Sequence, residues 1–159
     1  MTPAILEDKM KEFLEDLLKD TTLKNQNGDY VPINVFLGDI PPKNIMSDIF
    51  PYVFLKTLGG EDEIEKSTTE LKIVIGTTST SGKNDSMEDK LLENQTAHRD
   101  LLHMIQKIRS KILKVRVIGG FPFQFPFKYK FLEEDINPLF IAVLNVNFGM
   151  VQPEFEMNY

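Results

Sequence analysis

The sequence has no cysteine, which excludes disulfides and thiolate metal sites and is compatible with a reducing compartment. No apolar run approaches the ~18 residues that a membrane-crossing helix needs. The N-terminus alternates acids and bases, where a signal peptide would place a basic segment before an apolar one. Histidine is scarce: only His98 and His103 occur. Their spacing sets them about 140° apart on a helix turning ~100° per residue, too far round to share a metal readily. There is no HExxH pattern. The glycine pairs Gly59-Gly60 and Gly119-Gly120 lie outside any GxGxxG or Walker pattern and read as turns. Ser79, Ser81 and Ser86 lack a nucleophile elbow. The carboxylate groups Asp62-Glu63, Glu88-Asp89 and Glu133-Glu134-Asp135 sit in polar, turn-like contexts. A catalytic pair needs burial or a charged neighbour to separate its two pKa values, and a calcium loop needs acids at regular spacings with a closing glutamate. The expectation is a chain with no catalytic residues, no metal and no cofactor: not an enzyme.

What is present describes one ordinary folded domain. The chain has 159 residues, 42 % of them hydrophobic and 26 % charged, with a net charge of −6. A domain of this size buries roughly two thirds of its unfolded surface, so residues 1–159 are expected to form a single domain with its own core. No internal repeat or low-complexity tract interrupts it. Lys107, Arg109, Lys111, Lys114 and Arg116 cluster, which suits a helix C-terminus, where the macrodipole favours cations. Otherwise no strongly basic face stands out, so no specific nucleic-acid partner is expected, and no membrane partner either.

Periodicity gives the elements. Leu6, Met10, Phe13, Leu14 and Leu17 recur at spacings of three and four, which predicts a helix over 3–19 with Pro3 in its first turn. Its polar face mixes Glu7, Asp8, Glu12, Glu15 and Asp16 with Lys9, Lys11 and Lys19, so it is a core-facing helix and not a membrane-surface one. A short strand is expected at 34–37. Residues 52–58 are apolar almost throughout, the pattern of a strand buried on both faces. The turn at Gly59-Gly60 and the acids after it lead to an alternating strand at 68–78, so the two strands form an antiparallel hairpin with a long acidic tip. Ser79 to Lys90 is predicted to be a mobile surface loop. A helix follows at 91–113, with Ala97, Leu101, Ile105, Ile108 and Ile112 on one face, then a short strand at 116–118 and a turn at Gly119-Gly120.

Residues 121–131 carry the clearest period of two. Phe121, Phe123, Phe125, Phe127, Tyr129 and Phe131 alternate with Pro122, Gln124, Pro126, Lys128 and Lys130. Two prolines place this strand at a sheet edge. The aromatic row is expected to pack beneath the helices, the alternative being an exposed platform on which bases stack. A last strand spans 140–148. Residues 149–159 form a tail whose apolar Met150, Val151, Phe155, Met157 and Tyr159 suggest docking on its own domain or a neighbour.

The order of several segments resembles the tail terminator (tail completion) proteins of long-tailed bacteriophages and prophages. The segments are the N-terminal amphipathic helix, Val35-Phe36-Leu37-Gly38 with Pro41-Pro42, and Phe50-Pro51-Tyr52-Val53 leading to Gly60-Glu61-Asp62. Leu71-Lys72-Ile73-Val74-Ile75-Gly76-Thr77, His98-Arg99-Asp100-Leu101-Leu102 and Val117-Ile118-Gly119 follow. The resemblance implies an α/β (α+β) domain with a mixed or mostly antiparallel sheet and two main helices on one face. It also implies a homo-oligomeric ring, usually a hexamer, that caps the tail tube and joins tail to head. The partners are then further copies of the chain, the tail-tube protein and a head–tail connector protein, and the location is the virion neck after assembly in the host cytoplasm. Candidate assembly contacts are the acidic tip, Glu61, Asp62 and Glu63, and the apolar tail, Met150, Val151, Phe155 and Tyr159. The alternatives are another neck or head-closure component of a phage or tail-derived particle, or an unrelated small ligand-binding or enzymatic α+β domain with a pocket under the aromatic row.

Overall fold

The computed structural model of the chain describes residues 2–39, 50–79, 86–132 and 139–151. Pro41-Pro42, Glu133-Glu134-Asp135, Phe155 and Tyr159 lie outside the described residues. The fold is α+β. Helix α1 (Pro3–Leu18) precedes a small antiparallel pair, β1 (Thr22–Lys24) and β2 (Tyr30–Pro32). The main sheet contains β3 (Asn34–Leu37), β4 (Tyr52–Asp62), β5 (Ser67–Thr78), β6 (Val117–Ile118), β7 (Phe121–Phe131) and β8 (Leu139–Met150). Helix α2 (Met87–Val115) lies between β5 and β6 in the chain. Strand order across the six-stranded sheet is β3-β4-β5-β8-β7-β6. Among the described strands β3 and β4 run parallel and the other neighbours are antiparallel.

Both helices are started by local chemistry. Thr2 caps α1, its hydroxyl accepting from the Ile5 N–H at 3.4 Å, and proline stands in the first turn, where no N–H is required. Ser86 caps α2, accepting from the Asp89 N–H at 3.2 Å, and Glu88 and Asp89 in the first turn complement the positive end of the helix dipole. Arg116 ends α2 in the left-handed region at φ 66°, its N–H donating to the Ile112 carbonyl at 3.0 Å.

Leu6, Met10, Leu14 and Leu18 of α1 and Ala97, Leu101, Met104, Ile105, Ile108 and Ile112 of α2 are buried. With the exception of Ala97, they join one core with Val53, Leu55, Leu71, Ile73, Ile75, Leu144 and Phe148 of the sheet. Both helices therefore cover the same sheet face. A full burial of one such side chain contributes about 1.5–3 kcal/mol, so this layer dominates the folding energy. The opposite face carries a smaller cluster of Phe50, Tyr52, Phe54, Val74 and Ile141. The start of β4 is thus apolar on both sides, as its run of hydrophobic residues predicts, and β4 lies inside the sheet.

Four sequence expectations are corrected. Gly59-Gly60 is not the hairpin turn: β4 continues to Asp62, with a bulge at Leu58 between the Thr57 and Gly59 pairings. The turn is Glu63–Lys66, where the Glu63 N–H donates to the Lys66 carbonyl at 2.6 Å. Glycine is needed at 60 for close strand approach, since a Cβ there would lie 2.7 Å from the Thr68 carbonyl oxygen. The predicted loop 79–90 is also too long. Met87–Lys90 belongs to α2 and Ser79 is buried, because the Ser86 cap outweighs the weak apolar content that follows it.

The aromatic row is split. Phe121 and Phe123 are buried, but Phe125 is 64 % exposed and Tyr129 is 47 % exposed. The register between β7 and β8 slips from Gln124↔Asn147 to Lys128↔Asn145. The bulge between these pairs throws Phe125 outward, and the Asn147 amide donates to the Pro126 carbonyl at 3.2 Å. Finally, Gly149 and Met150 are not tail but the last residues of β8, Met150 pairing with Ser67.

Candidate functional site

The tip of the β4–β5 hairpin and the end of β8 lie together. The Ser67↔Met150 and Asp62↔Ser67 pairings bring Asp62 and Met150 to the same end of the sheet. Glu61, Asp62, Met150 and Val151 line a cleft of about 410 Å³ with Pro3 of α1. Glu61 to Lys66 are all exposed, and the Asp62 carboxylate accepts from the Ser67 hydroxyl at 2.5 Å. Ile64, at the apex, is 93 % exposed. A second cleft of about 370 Å³ shares Met150 and Val151 and is also lined by Glu65, Pro122 and Gln124. Of the seven candidate contacts, Glu61, Asp62, Glu63, Met150 and Val151 thus gather at one acidic end, and Phe155 and Tyr159 lie outside the described residues.

Sequence reasoning missed a second surface. It treated Lys107 to Arg116 as a helix terminus and found no basic face. In the structure two arginines from this half of α2 reach aromatic rings of β7. The Arg116 guanidinium stands 5.2 Å over the Phe125 ring and Arg109 stands 5.8 Å over Tyr129, cation–π contacts that hold both arginines at the edge. Lys128 and Lys130 project from the other side of β7. Residues 101–131 hold seven lysines and arginines and no acid, so against a total of −6 the remainder carries −13. That uninterrupted absence of acids was the available signal. It spans a helix and a strand, and only the fold makes them adjacent.

The sheet face away from the helices adds to this edge. Lys56, Lys72, Asn145 and Lys128 stand in one register line across β4, β5, β8 and β7. Lys56 is bound to Asp39 at 2.8 and 2.9 Å. That hydrogen bond, with the nearby Lys72 charge, holds the Asp39 carboxyl below its ordinary range. Asn145 donates to Glu70 at 3.0 Å. Between β7 and β8 lies a concavity of about 470 Å³, lined by Phe127, Lys128, Tyr129, Lys130, Val143 and Asn145.

His98 and His103 are both exposed, and His98 packs 5.4 Å from the Phe131 ring. Among the described residues no three His, Asp or Glu side chains converge as metal ligands. No helix among them is long and apolar enough to cross a membrane. Among the described residues, Asp100 and Tyr52 are the two other groups with displaced titration. Burial raises the Asp100 carboxyl, against the opposing charges of His103 and Lys24. Burial alone raises the Tyr52 phenol, whose hydroxyl meets no hydrogen-bond partner among the described residues. Both sit in packed surroundings, away from the acidic tip. One end is thus acidic with an apolar apex, and one edge is basic and aromatic. No protein-family model and no curated protein matches the chain.

Proposed function

We propose that this chain is a structural protein of a long-tailed phage or prophage, a ring subunit that caps the tail tube and joins it to the head. The observation that carries the reading is the ordered resemblance to tail terminators, taken with where its segments fall. Val35-Phe36-Leu37 is β3, Tyr52-Val53 opens β4, Leu71 to Thr77 lies in β5 and Val117-Ile118 is β6. His98 to Leu102 lies within α2. The resemblance takes His98 to Leu102 as the start of a long helix, whereas here α2 begins eleven residues earlier at Met87; the strands and the placing of both helices on one sheet face support the reading.

The surfaces support the same reading. A ring is built from repeated contacts and requires no catalytic constellation. The partners are other copies of the chain, the tail-tube protein and a head–tail connector, and the place of action is the neck of the virion. The test is direct. Purified protein mixed with assembled tail tubes is imaged by negative-stain electron microscopy. The reading expects a cap at one end of each tube. Bare ends, or decoration along the whole tube, would count against it.

A further inference from the structure

We infer that the outer edge of β7, over Phe127 to Phe131, takes an extended segment of another protein as an added antiparallel strand, one in which acidic residues alternate with apolar ones. The inference does not rest on the tube-capping reading. β6 pairs with β7 at Phe121 and Pro122, and the Phe123 N–H donates to the Arg116 carbonyl at 2.7 Å. Beyond that point no strand among the described residues flanks β7 on its outer side.

The hydrogen bonds show which backbone groups face outward. The Leu132 N–H donates to the Ile141 carbonyl of β8 at 3.0 Å. In an antiparallel ladder such bonded pairs alternate with unbonded ones. Lys130↔Val143 and Lys128↔Asn145 are therefore bonded pairs, and Tyr129↔Leu144 and Phe131↔Ala142 are unbonded. The N–H and C=O of Tyr129 and Phe131 thus point away from β8, to the open side. The prolines do not close this stretch, since Pro122 and Pro126 both precede it. A row of outward donors and acceptors is a template for strand addition.

The side chains select what is added. Lys128 and Lys130 are exposed on the sheet face away from the helices, and among the described residues neither is paired with an acid. Carboxylates on an added strand would lie opposite them. On the other face Tyr129 is 47 % exposed, and Phe127 and Phe131 are half-buried against the core. Apolar residues of the added strand would lie beside that aromatic row, as cross-strand pairs favour. The absence of any acid over 101–131 leaves nothing local to repel such a segment.

Two other occupants fit less well. A second copy of β7 paired antiparallel about Tyr129 would set lysines against lysines on one face, and like charges opposite each other destabilise a sheet. A nucleic acid would meet the lysines but would leave the outward peptide groups unmatched.

The probe is an acetylated, amidated peptide of four glutamates alternating with three valines, added to the full chain at low salt. Amide exchange by NMR is the readout. At a peptide concentration ten times Kd, exchange at Tyr129 and Phe131 should slow about elevenfold, with Lys128 and Lys130, already bonded to β8, unchanged. In the antiparallel pairing the valine amides face β7, so the peptide N-methylated at valine should not bind. Lys128→Glu/Lys130→Glu should keep the wild-type circular dichroism, lose the glutamate peptide and bind its lysine counterpart. No binding of the glutamate peptide, binding without slowed exchange at Tyr129 and Phe131, or binding that survives valine methylation would each overturn the inference. Slowed exchange at those two amides on concentrating the protein alone would assign the edge to a second copy instead. An oligothymidylate that displaces the peptide and loses affinity in Lys128→Glu/Lys130→Glu would assign it to nucleic acid. No tail tube enters this experiment, so its failure and the failure of tube capping are separate results.

Discussion

The carboxylate of Glu7 accepts two hydrogen bonds from Thr57, one from the backbone N–H at 2.9 Å and one from the hydroxyl at 2.8 Å. Thr57 is the last residue of β4 in register before the bulge at Leu58. A helix residue that reads in sequence as part of a mixed polar face thus anchors the strand where the hairpin leaves the body of the sheet. Glu7→Ala should cost about 1–3 kcal/mol, because it leaves two partly buried donors without their acceptor. Chemical denaturation measures this, and Glu7→Gln, which retains an acceptor oxygen, should lose less.

Phe123 and Phe125 should respond differently to truncation although they occupy equivalent positions in the sequence pattern. Phe123 is 8 % exposed, within the main core and against Phe148, and Phe123→Ala should cost about 3–5 kcal/mol. Phe125 is largely exposed, beneath Arg116 and edge-on to Phe123 at 5.1 Å, and Phe125→Ala should cost about 1–2 kcal/mol, from the lost ring and cation–π contacts. Paired urea melts of the two variants distinguish the split row from a continuous buried one.

Tyr52 packs on Gly76, where an added Cβ would lie 2.6 Å from the phenol Cζ. Gly76→Ala should therefore destabilise by overpacking, about 1–3 kcal/mol. The Tyr52 phenol is raised in the folded protein by burial. Its contribution is fully present below the unfolded value of about 10 and is lost as pH rises toward the folded value. Tyr52→Phe should match or exceed the wild type at neutral pH and resist alkaline unfolding better, as followed by circular dichroism against pH.

Asp100 gives an acid-side counterpart. Burial raises its folded pKa, so its stabilising contribution is complete below the ordinary carboxylate range and is lost as pH rises through the folded value. Asp100→Asn should stabilise the fold at pH 7 by less than about 1 kcal/mol once solvent screening is allowed for. The advantage should vanish below about pH 4, where the carboxyl is protonated. Thermal melts at the two pH values measure it.

The elements with strong periodicity were legible from the residues alone. Leu6, Met10 and Leu14 mark the buried face of α1, Ala97 to Ile112 that of α2, and Leu71, Ile73 and Ile75 the core side of β5. Boundaries set by a single hydrogen bond were less so: the Ser86 cap begins α2 four residues before the predicted 91. Gly59-Gly60 has the composition of a turn and the geometry of a tight strand pairing, a difference that depends on Thr68 across the hairpin. The outward Phe125 follows from a bulge in β7, where alternation in sequence no longer predicts alternation in space. Of the candidate site, the acidic tip was visible as a local run. The basic edge was not, because its charges come from α2 and β7 and meet only through the sheet.

Tail length in a phage lacking this protein tests the central claim most directly. Particles from host cells infected with the deletion are imaged by electron microscopy, with the protein supplied in trans as control. A subunit that caps the tube and joins it to the head predicts tails of uncontrolled length, or tails of normal length that remain unattached to heads, with both defects repaired by the supplied protein. Tails of normal length joined to heads in the uncomplemented deletion would contradict the account.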